Sequence, residues 1–251
     1  MRLRQIALLG RDLTRQAADI ETVLGLGAAW EDPAVGRYGL HNRVWPVGDT
    51  FLEIVSPIQP GTTAGRLLDK RGRDGGYMVI FQVDDLAVAE ARVQAAGVRI
   101  VDRYDGDGAA FRHLHPRDLP GAIASIDAMH PSERWAWGGP DWPRNVRTDR
   151  VRAITGAQLL VAGCDEVSAK WAEALGLPRQ RTGAGWRLLL AGGELRFAEV
   201  APGEMDGLTG IDLVATDAAA IQETAAKRGC IDAAGGVLLC GTRIRLLPPG
   251  G

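Results

Sequence analysis

Four times along this 251-residue chain a strand-like segment leads to an acidic residue, an amphipathic helix and a stopping glycine, and nothing else in the sequence restricts the fold so strongly. Arg4 to Leu9 alternates as a strand does, Asp12 opens a helix with Leu13, Ala17, Ile20 and Leu24 on one face, and Gly25 closes it. The second copy has Met78 to Val83, Asp84-Asp85, the stripe Leu86, Ala89, Val93 and Ala96, then Gly97. The third has Gly156 to Val161, Asp165, then Val167, Trp171 and Leu175, then Gly176. The fourth has Gly210 to Ala215, Asp217, then Ile221 and Ala225, then Gly229. Helix starts and glycine stops of this kind satisfy the orphan amides and carbonyls at the two ends.

Each glycine is followed by strand-like runs broken at Gly and Asp. After Gly25 come Tyr38 to Val47, the turn Gly48-Asp49, and Thr50 to Val55. After Gly97 come Arg99 to Tyr104, Phe111 to His115 and Ala122 to Asp127; after Gly176, Trp186 to Leu190 and Leu195 to Val200; after Gly229, Val237 to Cys240 and Thr242 to Leu247. The unit is therefore strand, helix, then two or three antiparallel strands, a βαβββ pattern expected four times, and the fold class is α+β. The segment between the second and third copies holds Trp135, Trp137, Gly138, Gly139, Pro140, Trp142 and Pro143. It reads as a strap that packs its indoles down, because that much apolar surface is costly in water. The expected division is residues 1–130, a strap at 131–150, and a more degenerate 151–251. The basic stretch Arg66 to Arg73 reads as a solvated connector.

Charge and motifs narrow the function. Lys and Arg number 29 against 31 Asp and Glu, a formal net charge of -2, so no basic field invites nucleic acid. The longest apolar runs fall far short of the ~20 residues a membrane-spanning helix needs. The start, Met1 to Gly10, lacks the apolar core of a secretory signal, and the expected setting is cytoplasmic. Cys164, Cys230 and Cys240 have no metal or disulfide spacing and read as small core residues. Phosphate-loop, dinucleotide and nucleophile-elbow motifs are missing.

The phrases Gln5-Ile6-Ala7-Leu8, Gly48-Asp49-Thr50-Phe51-Leu52-Glu53-Ile54 and Phe81-Gln82-Val83-Asp84-Asp85-Leu86, set in this repeat, resemble the vicinal oxygen chelate superfamily. His41-Asn42-Arg43-Val44 and His113-Leu114-His115-Pro116-Arg117-Asp118 resemble its glyoxalase-like branch. The resemblance implies two glyoxalase-like modules with cupped antiparallel sheets, each cup built from two repeats and holding a small ligand. It covers glyoxalases, epimerases, extradiol dioxygenases and antibiotic-sequestering proteins, so it names no single reaction. Metal-dependent members place ligands on the first and last strands of their repeats. Gln5 and Glu53 match two of them. The other repeats offer Met78 and Ser125, Gly156 with Ala198 or Glu199, and Gly210 with Arg245, which do not restore a chelate.

The reading that follows is a protein acting on a small carbonyl or carboxylate compound by proton abstraction, of lyase or isomerase type and without the usual metal tetrad. Its catalytic candidates are Glu53, Gln5 and His115. Its ligand-binding candidates are Asn42, His41, His113, Arg245 and Trp45. Three roles are open to Glu53: a lining carboxylate, an ion-pair partner of Arg245, or the base, as in the glyoxalase and epimerase relatives. A divalent metal held by Glu53, His113 and His115 is the alternative, since two histidines two apart on a strand face the same side; hydrogen bonding at the adjacent turn is the simpler use. Trp45, Trp135, Trp137 and Trp142 form either a wall of the cup or a structural staple. The alternative class is a bleomycin-resistance type binding protein without turnover. The expected partner is a small molecule, with neither nucleic acid nor membrane, for a chain that is a monomer with an internal pseudo-dimer or a homodimer.

Overall fold

The computed structural model describes residues 1–250. Repeat one contains β1 (Arg2–Leu9), α1 (Leu13–Leu24), a 3-10 turn at Pro33–Tyr38, and the hairpin β2 (Leu40–Val47) and β3 (Thr50–Pro57). Asp12 accepts from the Arg15 amide at the helix start, and Gly25 closes the end at φ 65°, so the local signals act as read. Next comes a departure from the sequence reading, because the supposed connector is helix α2 (Thr63–Arg71). Thr62 caps it through the Gly65 amide, and it buries only Ala64 and Leu68, too thin a stripe to stand out among its charges.

Repeat two runs through β4 (Gly75–Gln82), α3 (Leu86–Ala95), β5 (Ile100–Gly106), β6 (Ala109–Leu114) and β7 (Ile123–Met129). The strap holds a 3-10 turn at Ala136–Gly138 and the short helix α4 (Trp142–Asn145). Repeat three contains β8 (Val151–Val161), α5 (Cys164–Leu175), β9 (Arg179–Thr182), β10 (Gly185–Leu190) and β11 (Gly193–Glu199). Asp165 does not cap α5. Gly163 is the cap residue, and the Glu199 carboxylate takes the amides of Gly163 at 2.8 Å and Cys164 at 2.9 Å. Repeat four contains β12 (Gly207–Ala215), α6 (Ala218–Lys227), β13 (Val237–Leu239) and β14 (Thr242–Leu247), with Asp217 capping α6 as expected. Cys240 and Gly241 both have positive φ, which suits the two-residue turn between the last strands.

Strands β1–β7 form one seven-stranded sheet and β8–β14 another. The sheets are mixed rather than antiparallel. Hairpin neighbours run antiparallel, but the first strand of each repeat pairs parallel with its last, as in β1 with β3 and β8 with β11. A helical crossover is what allows that parallel return.

By packing, the chain divides into two compact units that do not follow the sequential division. One holds residues 5–76, 137–154 and 210 onward, and so joins repeats one and four. The other holds residues 1–4, 77–136 and 155–209, joining repeats two and three. In the one–four unit α1 packs on α6, where Arg228 Nε meets the buried Asp19 carboxylate at 2.7 Å. In the two–three unit α3 packs on α5, and fully buried Trp171 lies 6.4 Å from the Phe81 ring and 5.7 Å from Phe197. The three cysteines are buried, and burial pushes each thiol up. Among the described residues no helix is long and apolar enough to cross a membrane.

Candidate functional site

Alternation along β3 decides which side chains can meet. Val44 stands opposite Glu53, Gln5 is the register partner of Phe51, and Ala7 that of Glu53. One face of repeat one therefore carries Gln5, Ala7, Asn42, Val44, Phe51 and Glu53. Trp45 and His41 belong to the other face, which is turned to α1: Trp45 is fully buried and its Nε1 donates to Glu21 of α1 at 3.0 Å. Neither is brought to Glu53, so the expected ligand roles of His41 and Trp45 are replaced by an exposed position and a core position.

Glu53 is 6 % exposed, and both carboxylate oxygens are held by neutral amides. Gln5 Nε2 donates to Oε2 at 2.8 Å and Asn42 Nδ2 donates to Oε1 at 2.6 Å. Asn42 in turn is oriented by the Asp32 backbone amide, which donates to its Oδ1 at 2.9 Å, so its NH2 must face Glu53. Burial pushes the Glu53 carboxyl above the ordinary carboxylate value, the Asn42 and Gln5 bonds oppose this, and the charge of Asp32 adds to it. Asp32 escaped the sequence reading, although an Asp directly before Pro33 signals a turn start, and it accepts from the Ala34 amide there.

The strap lies along this face. A methyl on Gly138 would sit 2.3 Å from the Phe51 ring, and one on Gly139 would sit 2.5 Å from Trp30. Trp142 meets Phe51 edge-on at 5.1 Å. Trp135 is instead fully buried in the two–three unit with the Arg4 guanidinium 5.4 Å from its ring.

Arg245 is not the partner of Glu53. Its Nε and Nη2 grip the buried Asp212 carboxylate at 2.8 Å each. The reason is how repeats one and four join, through the helices that cover the opposite face from Glu53. His113 and His115 lie in the two–three unit. The His113 ring stacks on Phe111 at 4.1 Å and its Nδ1 stands 3.9 Å from Asp102. His115 lies past the end of β6, and its Nδ1 accepts from the Arg117 amide at 3.0 Å, the turn role. Among the described residues no group of three or more His, Cys, Asp or Glu side chains is placed to hold a metal ion, so Glu53, His113 and His115 do not form one. Gln5 and Asn42 turn amide nitrogens, not oxygens, toward the Glu53 carboxylate.

Aligning the helix starts Leu13 and Cys164 sets Gln5 against Gly156. The registers then place Arg196, and neither Ala198 nor Glu199, at the position of Glu53. In repeat two the same position is Ser125, whose hydroxyl donates to the buried Asp127 at 2.5 Å.

Four repeats on two mixed sheets, the middle two complete βαβββ units and the outer two one strand shorter, with a carboxylate on the last strand of the first repeat, define the vicinal oxygen chelate class. The chain belongs to the glyoxalase-like domain family, which matches residues 6–176. Each sheet is one module of that type, and the two in one chain make an internal pseudo-dimer. Among curated relatives it is similar to ethylmalonyl-CoA/methylmalonyl-CoA epimerase of Cereibacter sphaeroides, 25% identical over 134 residues, which is 51% of this chain and 98% of the relative. Among solved structures it is similar to a mutant of 4-hydroxymandelate synthase from Streptomyces coelicolor, with TM-score 0.67 and 15% identity over 92% of this chain and 75% of that one. A hypothetical protein from Staphylococcus aureus gives TM-score 0.67 and 11% identity over 98% of this chain and 99% of that one. At those identities the two structures speak for the fold alone.

Proposed function

We propose that this protein abstracts a proton from a carbon next to a carbonyl, with Glu53 as the base, in an isomerase or lyase reaction on a small carbonyl or carboxylate compound. The observation that carries the reading is the buried carboxylate between two amides. Burial makes Glu53 a stronger base than a solvated carboxylate and a competent acid for returning the proton. Each oxygen accepts one amide hydrogen and keeps lone-pair capacity for a C–H proton. The amides hold the carboxylate plane still, which lowers the ordering cost of the step. Charge developing on the substrate oxygen needs a donor, and the second N–H of the Asn42 carboxamide is the one this reading assigns. The similarity to an ethylmalonyl-CoA/methylmalonyl-CoA epimerase favours a branched acyl thioester as the first substrate class.

The test is exchange of the acidic C–H in deuterated water, followed by proton NMR, with methylmalonyl-CoA and α-hydroxy ketones as probes. Glu53→Gln should slow exchange by about 10²-fold or more. Exchange at the wild-type rate in that variant, or none with any probe, sinks the proposal. The sequestering alternative rests on the aromatic side chains Trp30, Phe51 and Trp142 gathered at the strap, and it expects ligand-induced thermal stabilisation with no exchange.

A further inference from the structure

The stretch that leads into the 3-10 turn lies against β2 like a short extra strand. Trp30 and Val44 exchange backbone bonds there, the Trp30 amide donating to the Val44 carbonyl at 2.8 Å and the Val44 amide to the Trp30 carbonyl at 2.9 Å. In an antiparallel ladder the next pair to exchange bonds lies two residues on, and here that pair is Asp32 with Asn42. At this rung the pattern changes. The Asp32 amide donates to the Asn42 side-chain Oδ1 at 2.9 Å, and the Asn42 carbonyl accepts instead from Arg43 Nη1 at 2.9 Å. A backbone bond is given up to hold one side chain, and that side chain donates to Glu53 at 2.6 Å.

Asp32 is itself pinned on both sides of its own backbone. Pro33 after it confines it to extended conformation, and it sits at φ -87° and ψ 111°. Its Oδ1 takes the Ala34 amide at 2.9 Å and so caps the turn Pro33–Tyr38. The amide fixed in this way aims the Asn42 carboxamide, and a bond accepted at Oδ1 polarises that group and strengthens its N–H donors. The same residue brings a charge. Burial is the larger cause of the raised proton affinity of Glu53, and the Asp32 carboxylate adds to it against the bonds from Asn42 and Gln5. The neighbouring charges on these elements are Glu31 and Arg43, which pair with each other at 3.0 Å, and Arg37, whose guanidinium lies 4.6 Å from the Tyr38 ring.

We infer that Asp32 is a positioning residue for Glu53, holding the Asn42 carboxamide against it through its amide and placing a like charge within its reach through its carboxylate. The catalytic consequence rests on Glu53 being the base. The test joins a titration to a rate. In the full chain labelled with carbon-13 at the glutamate carboxyls, the Glu53 resonance, identified by its loss in Glu53→Gln, is followed against pH by NMR. The deuterium exchange described above is run on the same variants. Asp32→Asn keeps the amide and a capping oxygen and removes the charge. The Glu53 midpoint should then move down, toward the ordinary carboxylate value, while exchange on the high-pH plateau stays within about threefold of wild type. Asp32→Ala loses the cap as well, so the midpoint should again move down and the plateau should fall at least about tenfold. Glu31→Gln removes an equal charge from a side chain already paired with Arg43, and it should change neither. A midpoint that stays put in Asp32→Asn, or that moves as far in Glu31→Gln, overturns the inference, and so do equal plateau rates in Asp32→Asn and Asp32→Ala. The titration needs no turnover. Absence of exchange with every probe therefore removes Glu53 as the base, and the midpoint still decides the role of Asp32.

Discussion

Gly138→Ala tests the claim that the strap is seated on the face that carries Glu53. Gly138 has an ordinary negative φ, so the substitution carries no backbone strain and acts through space alone. The new methyl would lie 2.3 Å from Phe51 Cε1 and 3.0 Å from both Cδ1 and Cζ. Carbon pairs rest at about 3.5–4.0 Å, so the ring edge or the strap must withdraw by over ~1 Å. Phe51 is fully buried and edge-on to Trp142, which leaves it little room. Overpacking of this kind costs about 1–3 kcal/mol. For a chain of this size that lowers the unfolding midpoint by roughly 2–12 °C. Differential scanning calorimetry of the wild type, Gly138→Ala, Phe51→Leu and the double variant measures it. The double variant should recover part of the loss, giving a coupling between two positions 87 residues apart. A midpoint within 1 °C of wild type for Gly138→Ala would refute the seating of the strap.

Two further outcomes are expected. Because Glu53 has a folded-state pKa above 4.5, the folded protein keeps a proton that the unfolded chain has lost, and stability falls as pH rises from 4.5 to the raised value. Glu53→Gln removes that dependence, so its stability relative to wild type should grow across this window and level off above it in denaturant titrations; a difference that is constant or shrinks with pH contradicts the buried carboxylate. Trp171→Ala should cost about 3–5 kcal/mol, since the indole fills the space between Phe81 and Phe197 and its Nε1 donates to the Pro120 carbonyl at 3.1 Å. Trp171→Phe should cost less, and equal losses for the two in chemical denaturation would count against that packing.

What the sequence made legible was what is decided within a dozen residues. Asp12, Asp85 and Asp217 cap helices through bonds to amides three positions on, and each could be read from its neighbours. The αL glycines Gly25 and Gly176 ended helices for the same local reason. Where a partner comes from far along the chain, the reading failed. Asp165 lost its capping role to Glu199, which arrives from another strand. Gln5 and Glu53 could be placed together by strand position, and Asn42 could be placed near them. The separation of Asn42 from His41 and Trp45 follows from strand alternation once the α1-facing side is known. Whether Arg245 would meet Glu53 or another carboxylate depends on which repeats pack together, and no run of residues states that; it meets Asp212. His113 and His115 show the same limit, since periodicity gives their spacing and not the end of the strand between them.

The one–four unit unites residues at the two extremes of the chain, and this has a consequence for how the protein is made. The Asp19 carboxylate is closed off by Arg228, 209 positions later. At about 5–20 residues per second, a ribosome needs on the order of ten seconds or more to pass from residue 76 to residue 210. Through that interval α1 has the strands of its own repeat to lie on but no α6, and the Asp19 carboxylate has no Arg228 to meet. The seam between α1 and α6 is therefore among the last contacts of repeat one to close, although repeat one is the first of the four to be synthesised, and a stop codon ahead of Arg228 would leave Asp19 without its counter-charge.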